Sequence, residues 1–190
     1  MASYAGRMTT TYALLLRGIN VGGSRKLPMA ELRPLLEGLG HGEVRTYLQS
    51  GNAVFTTGGG AGEDALAAEI EEAIEARFGF SCDCLVRDHA YLAAVAEACP
   101  FPAGELEGKQ LHAVYYSAPV TADRFAAVDA GAFAPEAFAL GDRVMYLHTP
   151  GGLGRSRLAE AVLRPSLNKG VVATARNWNT VRKLVGMTAG

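Results

Sequence analysis

The sequence predicts an α+β protein of two ferredoxin-like subdomains in tandem, each of the βαββαβ type, with a helix at the C-terminus. Two observations predict this fold. Segments with strand and helix patterns follow one another as β-α-β-β-α-β over the first half, and a similar order then resumes. A turn signal also joins the middle two strands of each half, Ser50-Gly51-Asn52 in the first and Gly141-Asp142 in the second.

Each predicted element of the first half has its own pattern. An apolar run predicts a strand over 11–16, and leucines at helical spacing predict a helix between Pro28 and Gly40. An apolar stripe with glutamates on the opposite side predicts an amphipathic helix over Glu63–Phe78. The other predicted elements are strands over 44–49, 53–57 and 82–87 and a helix that Asp88 caps and Pro100 ends.

The second half is predicted from similar but shorter patterns. They indicate strands over 111–117, 137–140 and 143–148, a short helix over 121–130 and another over 157–163. A last helix is expected to begin at Thr174 as its N-cap and to bury Trp178 in the core. The predicted domains are a flexible tail over 1–10, subdomains over 11–100 and 111–190, and a linker over 101–110.

Composition narrows the class of protein. Hydrophobic residues make up 49% of the chain, no apolar run is long enough to span a bilayer, and no export signal precedes the first strand. The chain has three cysteines, an odd number, and no export signal, so a disulfide framework is not expected. A reducing cytoplasm is the expected location. The net charge is −1, yet residues 58–110 carry −8 and residues 151–190 carry +6. The two basic regions at the ends of the chain either share one face or are separate solvated surfaces.

The first basic loop, Arg17–Lys26, is the leading candidate site. A buried strand leads into a loop with three glycines, and backbone N–H groups beside cations are a common way to bind an anion. The spacing matches neither a phosphate-binding P-loop nor a dinucleotide fingerprint. The alternative is that the glycines only permit positive φ angles. The candidate ligand-binding residues here are Arg17, Asn20, Gly22, Gly23, Arg25 and Lys26.

Further candidates lie in three other segments. Gln49 and Asn52 flank the first hairpin turn, which should lie near Arg17 if the first and third strands are neighbours, although an ordinary turn also explains them. The second basic loop, Gly151–Arg157, repeats the pattern of glycines before cations, and its alternative is a loop with solvated arginines. The candidates added here are Gln49, Asn52, Arg155, Arg176 and Asn177.

No residue pattern predicts a catalytic group or a metal site. Cys82 and Cys84 are expected to be core residues, because two thiols without a second pair do not form a zinc site. His41, His112 and His148 have no nearby constellation of a serine or cysteine with a carboxylate, so no triad is predicted. Whether the chain is an enzyme stays open, and no cofactor is indicated.

Several of these segments together resemble a known family. Leu16–Gly23 and Tyr47–Asn52 are similar to the opening motifs of domain-of-unknown-function family 1697, and Gly154-Arg155-Ser156 and Thr174–Val181 are similar to its closing motifs. The resemblance implies an α/β protein of two related subdomains and implies no activity. It also marks out polar positions among the candidates above, namely Arg17, Asn20, Gln49, Asn52, Arg176 and Asn177.

The function expected from the sequence is therefore the binding of a small anionic ligand that contains phosphate, such as a phosphorylated metabolite or a nucleotide. A nucleic-acid-binding module is the first alternative, since ferredoxin-like sheets often bind RNA. The slightly acidic balance and the lack of the aromatic strand signature on which bases stack disfavour it. A protein-interaction module without a small ligand is the second alternative. The residues indicate no membrane partner and no particular oligomeric state.

Overall fold

A computed structural model of the chain describes residues 8–190, so the predicted tail over 1–10 lies mostly outside the described residues. The chain divides into two units. The first unit runs up to His89 and includes Met187–Gly190, and the second spans Ala90–Gly186. The boundary thus precedes the linker that the sequence places over 101–110, and the exact limits of the domains stay a prediction.

The first unit contains four strands and two helices in the predicted order. Its sheet is antiparallel throughout and has the strand order β2-β3-β1-β4. The first and third strands are therefore central neighbours, as the sequence predicted. The elements are β1 (Thr10–Leu16), α1 (Met29–Gly38), β2 (Gly42–Tyr47), β3 (Asn52–Thr57), α2 (Glu63–Phe78) and β4 (Cys84–Asp88).

The core of this unit lies between the sheet and its two helices. Leu32 and Leu36 of α1 and Ile70 and Ile74 of α2 are fully buried in one cluster with alternate residues of β1, β3 and β4. The helix α2 ends at Gly79, which adopts φ 76°, a conformation that glycine reaches without a Cβ clash. The amphipathic pattern that the sequence shows is therefore the pattern that buries this core.

The second unit contains the remaining elements and a second four-stranded antiparallel sheet. Its strand order is β6-β7-β5-β8, which is the order of the first sheet when the strands of each sheet are counted from one. The chain as a whole is thus a mixed α+β fold. The elements are α3 (His89–Glu97), β5 (Leu111–Tyr116), β6 (Ala137–Gly141), β7 (Val144–His148), α4 (Arg157–Leu163), β8 (Ala173–Asn177) and α5 (Trp178–Thr188).

Two predicted helices of the second half are wrong in detail. Residues 121–130 do not form an α-helix; two 3₁₀ turns, Ala122–Phe125 and Ala130–Phe133, stand in their place. The C-terminal helix exists, but Thr174 is not its N-cap, because Ala173–Asn177 is a strand paired with β5. Trp178 opens the helix and is 3% exposed, which confirms that it is a core residue.

The central strands of both sheets are buried on both faces. In β3 the consecutive residues Asn52–Phe55 are all fully buried, and in β5 every residue from Leu111 to Tyr116 is buried. Successive side chains of a strand point to opposite faces of its sheet, so a run of consecutive buried residues means that both faces are covered.

No helix of the described residues is long and apolar enough to cross a membrane.

Candidate functional site

The first basic loop forms a miniature hairpin. Val21 and Ser24 pair as an isolated antiparallel bridge, and the N–H of Asn20 donates to the carbonyl of Arg25 at 3.1 Å. Gly22 and Gly23 between them have φ angles of 66° and 79°, and positive φ at both central residues is typical of a type I′ hairpin turn. Turn geometry therefore explains both glycines without a ligand. Their N–H groups donate no backbone hydrogen bond to the described residues.

Arg17 is engaged in an ion pair. Its Nη1 lies 3.0 Å from Oδ2 of Asp83, and its backbone N–H donates to the carbonyl of the same residue at 3.0 Å. Both side chains are about half exposed. A surface pair of this kind contributes less than about 1 kcal/mol and exchanges readily with a competing anion. Arg17 is thus placed at the end of β1, where the sequence predicted it, with its charge already offset by a carboxylate.

Asn20 and the first hairpin turn form a structural lock. The side-chain amide of Asn20 donates to the carbonyls of Leu27 and Gln49 at 2.8 and 2.7 Å, and its oxygen accepts from the N–H of Leu27 at 2.9 Å. Asn52 is fully buried, and its amide donates to the carbonyl of Tyr47 at 2.9 Å. The side-chain amides of both asparagines therefore tie backbone segments together. Gln49 contributes its backbone carbonyl to these contacts.

Gly51 completes this lock by close packing. A Cβ on Gly51 would lie 2.8 Å from Cβ of Leu16 and 2.8 Å from Cδ1 of Ile19, and the residue has φ 95°. Its carbonyl also accepts from the N–H of Leu16 at 2.9 Å. The structure thus brings the first basic loop and the hairpin turn side by side, as the sequence predicted from the neighbouring strands. The motif residues at this contact hold the backbone in place.

Two cations of the first basic loop remain exposed. Lys26 makes no ion pair among residues 8–190, and Arg25 extends over Gly18, whose added Cβ would lie 3.7 Å from Nη1 of Arg25. Beneath the loop, the Cys82 thiol is hydrogen-bonded with Cys84, which lowers the pKa of Cys82 and raises that of Cys84. Both thiols are 3% exposed, so these residues lie in the core as expected.

The second basic loop borders a wide, open concavity on the second unit. The concavity has a volume of about 610 Å³ and lies beside a 3₁₀ turn, Leu153–Arg155, and the helix α4. Three exposed arginines line it, Arg155, Arg157 and Arg164, together with the exposed Glu160. We call this surface the arginine concavity. A smaller hollow of about 280 Å³ adjoins it and shares three of these side chains.

The arginines of this concavity are free of carboxylate partners. Among the described residues none of the three forms an ion pair, and the one hydrogen bond made by their side chains runs from Nε of Arg164 to the carbonyl of Ala161 at 2.9 Å. Arg157 and Glu160 are one helical turn apart, and Arg164 follows the last turn. The sequence prediction named Arg155 as a site residue and omitted Arg164, which the spacing 157, 160 and 164 would have indicated.

Arg176 and Asn177 have structural roles in β8. Arg176 is 7% exposed, and its Nη1 donates to Oγ1 of Thr174 at 2.7 Å and to the carbonyl of Ala175 at 2.9 Å. Oδ1 of Asn177 accepts from the N–H of Thr180 at 3.0 Å, which caps the first turn of α5. Neither side chain lines the arginine concavity.

Buried histidines do not add a reactive group to these surfaces. Burial lowers the pKa of His112 to about 4 and lowers that of His41, whose Nε2 lies 3.6 Å from a carboxylate oxygen of Glu69. His112 sits in β5 opposite Asn177. No group of three His, Cys, Asp or Glu side chains able to hold a metal ion occurs in residues 8–190.

The fold and these surfaces define a class of protein. It is a mixed α+β protein with two four-stranded antiparallel sheets of the same strand order, and it carries basic, glycine-containing loops. The model of a family described as "Protein of unknown function (DUF1697)" matches residues 8–146. The chain belongs to this family, as its opening motifs indicated. The match does not extend to the closing motifs after residue 146.

A solved structure with the same fold is the conserved bacterial protein SP0830 from Streptococcus pneumoniae. The two chains are 24% identical, the match covers 95% of this chain and 99% of that one, and the TM-score is 0.70. At this identity the likeness concerns the fold alone. No curated protein matches the chain.

Proposed function

We propose that this protein binds a small anionic ligand that contains phosphate, and that the arginine concavity is the place of binding. The observation that carries the proposal is the set of three exposed arginines around one open concavity, none of them paired with a carboxylate of the described residues. An arginine cluster without partners leaves a local excess of positive charge, since Glu160 is the one acid that lines it. An incoming anion removes that excess.

Phosphate is favoured over a simple carboxylate because of the number of arginines. A guanidinium is a planar fork whose two N–H groups match two oxygens of one phosphate, and a phosphate group offers several such edges. Arg155 lies in the turn before α4, whereas Arg157 and Arg164 lie within and after it, and all three line the concavity. Glu160 can accept from a ribose or sugar hydroxyl of the same ligand.

The first basic loop is the second place proposed for such a ligand. Arg25 and Lys26 are exposed there, and the N–H groups of Gly22 and Gly23 make no backbone hydrogen bond within residues 8–190. The loop ranks below the arginine concavity because the charge of Arg17 is offset by Asp83 at 3.0 Å. The side-chain amide of Asn20 is also fully used within the protein.

The finer predictions about architecture and location belong to the same proposal. The shared strand order of the two sheets supports two ferredoxin-like repeats that arose by duplication. A cytoplasmic location is supported by three cysteines that are all free thiols. Nucleic acid is a weaker candidate than a small ligand, because central strands buried on both faces offer no sheet surface on which bases stack.

A ligand screen with matched variants tests this proposal. Melting temperatures are measured with inorganic pyrophosphate, ATP, a sugar phosphate and coenzyme A, each with and without Mg²⁺. A ligand at about a hundred times its Kd adds about 2.7 kcal/mol, which is a shift of several degrees. The Kd of any stabilising ligand is then measured by calorimetry for the wild type and the variants. The variants are Arg155→Ala/Arg157→Ala for the concavity and Arg25→Ala/Lys26→Ala for the loop.

The control variant is Arg33→Ala, which removes an exposed arginine that pairs with Glu37 on α1 and lines neither surface. We expect the concavity variant to weaken binding by at least about tenfold and the control to leave it unchanged. A loss in the loop variant alone would move the site to the first basic loop. No stabilising phosphate compound, or equal binding by all variants, would refute the proposal.

A further inference from the structure

A second concave site lies on the second unit and shares no lining residue with the arginine concavity. It is a partly enclosed pocket of about 350 Å³ between α3 and the β6–β7 hairpin, within the size range of small-molecule sites. We call it the tyrosine pocket, after the two tyrosines in its wall. Its lining includes Tyr91 and Val95 of α3, Ala139 and Gly141 of β6, and Val144 and Tyr146 of β7.

The floor of this pocket is apolar and held in place by hydrogen bonds. Oη of Tyr146 donates to the carbonyl of Val95 at 2.7 Å, which ties β7 to α3. Oη of Tyr91 lies 2.8 and 3.0 Å from the carbonyls of Asp142 and Arg143 and ties the helix to the hairpin turn. Both hydroxyls are therefore engaged with backbone carbonyls. Burial raises the pKa of Tyr146 to about 12, so its hydroxyl remains a donor at neutral pH.

The pocket keeps its open space because the residues around it are small. Ala94, Ala98 and Ala139 line it, and at Gly141 an added Cβ would lie 2.9 Å from Cγ1 of Val144. Tyr91 on α3 and Tyr146 on β7 contribute aromatic side chains from both sides of the pocket, and the small alanines leave a slot beside them. A slot of this kind fits a planar ring, because aromatic rings favour edge-to-face and offset contacts with one another.

The charges at the rim of the pocket are internally matched. Nε of Arg143 lies 3.8 Å from Oδ1 of Asp142, and its guanidinium carbon lies 4.6 Å from the centroid of the Tyr91 ring. Arg143 also adopts φ 50°, the left-handed conformation that the hairpin turn requires of it. Asp142 is the charged residue of the pocket lining, and the neighbouring Arg143, which lies outside the lining, offsets its charge. An entering molecule meets neither an excess of charge nor an unused hydroxyl donor.

We infer that the tyrosine pocket is a binding site for a small, uncharged aromatic molecule of one or two rings. Engaged polar groups, a neutral rim, aromatic walls and a volume of about 350 Å³ all favour this class over anions, cations and polar sugars. The inference is independent of the proposed phosphate site, with which it has no lining residue in common.

The chain contains a reporter for this site. Trp178 is the single tryptophan, and its ring centroid lies 6.4 Å from that of Tyr146. Binding of phenol or indole is measured by amide chemical shifts in a ¹⁵N-labelled sample, and binding of phenol also by Trp178 fluorescence. Benzoate and benzylamine, which carry a charge on a similar ring, serve as the comparison ligands. We expect saturable shifts around the pocket with phenol and indole, and at least about tenfold weaker binding of both charged compounds.

Two variants that fill the pocket distinguish this site from surface adsorption. Ala139→Leu fills it from β6, and Ala98→Leu fills it from the end of α3, so a folding defect in one does not end the test. Ala132→Leu is the matched control, since Ala132 is exposed and lines neither the pocket nor the arginine concavity. We expect both filling variants to weaken phenol binding at least about tenfold and the control to leave it unchanged. Absence of saturable binding, or equal binding in a folded filling variant, would overturn the inference.

Discussion

The buried histidine of β5 makes the stability of this protein depend on pH in a calculable way. His112 is 7% exposed, its Nδ1 has no hydrogen-bond partner among the described residues, and burial lowers its pKa from 6.5 to about 4. The unfolded chain therefore binds a proton at this side chain more readily than the folded protein does. The stabilisation is fully present above about pH 6.5 and is lost as the pH falls from there towards about 4.

The size of this effect follows from the difference between the two pKa values. Each pKa unit corresponds to about 1.36 kcal/mol, so a shift from 6.5 to about 4 gives about 3 kcal/mol in total. Most of it, about 2.5 kcal/mol, is lost between about pH 7.5 and about pH 4.5. Against a typical stability of about 5–15 kcal/mol, a loss of this size is easily measured.

Urea unfolding at a series of pH values measures this effect. The variant His112→Leu removes the titrating group, and the difference between its pH profile and that of the wild type isolates the contribution of His112 from that of the carboxylates and of His41. We expect the wild type to lose about 2.5 kcal/mol more than His112→Leu over this range. Parallel profiles for the two proteins would refute the reasoning, because they would mean that His112 titrates alike in the folded and unfolded states.

Two further predictions concern the lock between the first basic loop and the hairpin turn. Asn20→Ala removes three hydrogen bonds, so we expect the free energy of unfolding in urea to fall by about 2 kcal/mol and amide exchange at Leu27 to become faster. Asn20→Asp keeps a side-chain acceptor but has no amide donor, so it should recover only the hydrogen bond from the Leu27 N–H. Gly51→Ala places a Cβ 2.8 Å from Cβ of Leu16 at φ 95°, so we expect the free energy of unfolding to fall by at least about 2 kcal/mol. Gly22→Ala places its Cβ where no atom lies within 4 Å, so we expect a smaller fall in the free energy of unfolding. Equal losses in the two glycine variants would contradict the packing argument.

The first half of the fold is predictable from sequence because each of its elements carries a local signal. The apolar run of β1, the stripe of α2 and the turn at Gly51 each specify one conformation without help from distant residues. Leu15 also faces Asn52 in the register of β1 and β3, as a shared sheet edge requires. The α+β class and the position of the loop at the end of β1 follow from these signals alone.

The second half shows where such signals end. Thr174–Asn177 continues the helical spacing of Trp178, Val181 and Leu184, yet pairing of Thr174 with Tyr115 in β5 draws it into the sheet. Residues 121–130 are too few to hold a helix by themselves, since short helices depend on tertiary packing. In both segments long-range contacts, which no local pattern contains, decide the conformation.

The candidate site shows the same limit for charges. The sequence identifies Arg17 as a cation at the end of a strand, but its partner Asp83 is 66 positions away, and only the fold brings the two together. The amide of Asn20 looks available in the sequence and is fully engaged in the structure. Conversely, the sequence left open whether the second basic loop binds an anion or holds solvated arginines, and in the structure Arg155, Arg157 and Arg164 line one concavity.

Burial of the central strands on both faces has a consequence for how the surface of this protein can vary. A charged substitution has no tolerated position in Asn52–Phe55 or in Leu111–Tyr116, because neither face of these strands meets water. Sequence drift, affinity tags and fluorescent labels must therefore be accommodated elsewhere. The glutamate-rich outer side of α2 offers such room, since Glu72 and Glu75 are both exposed at the surface of this long helix.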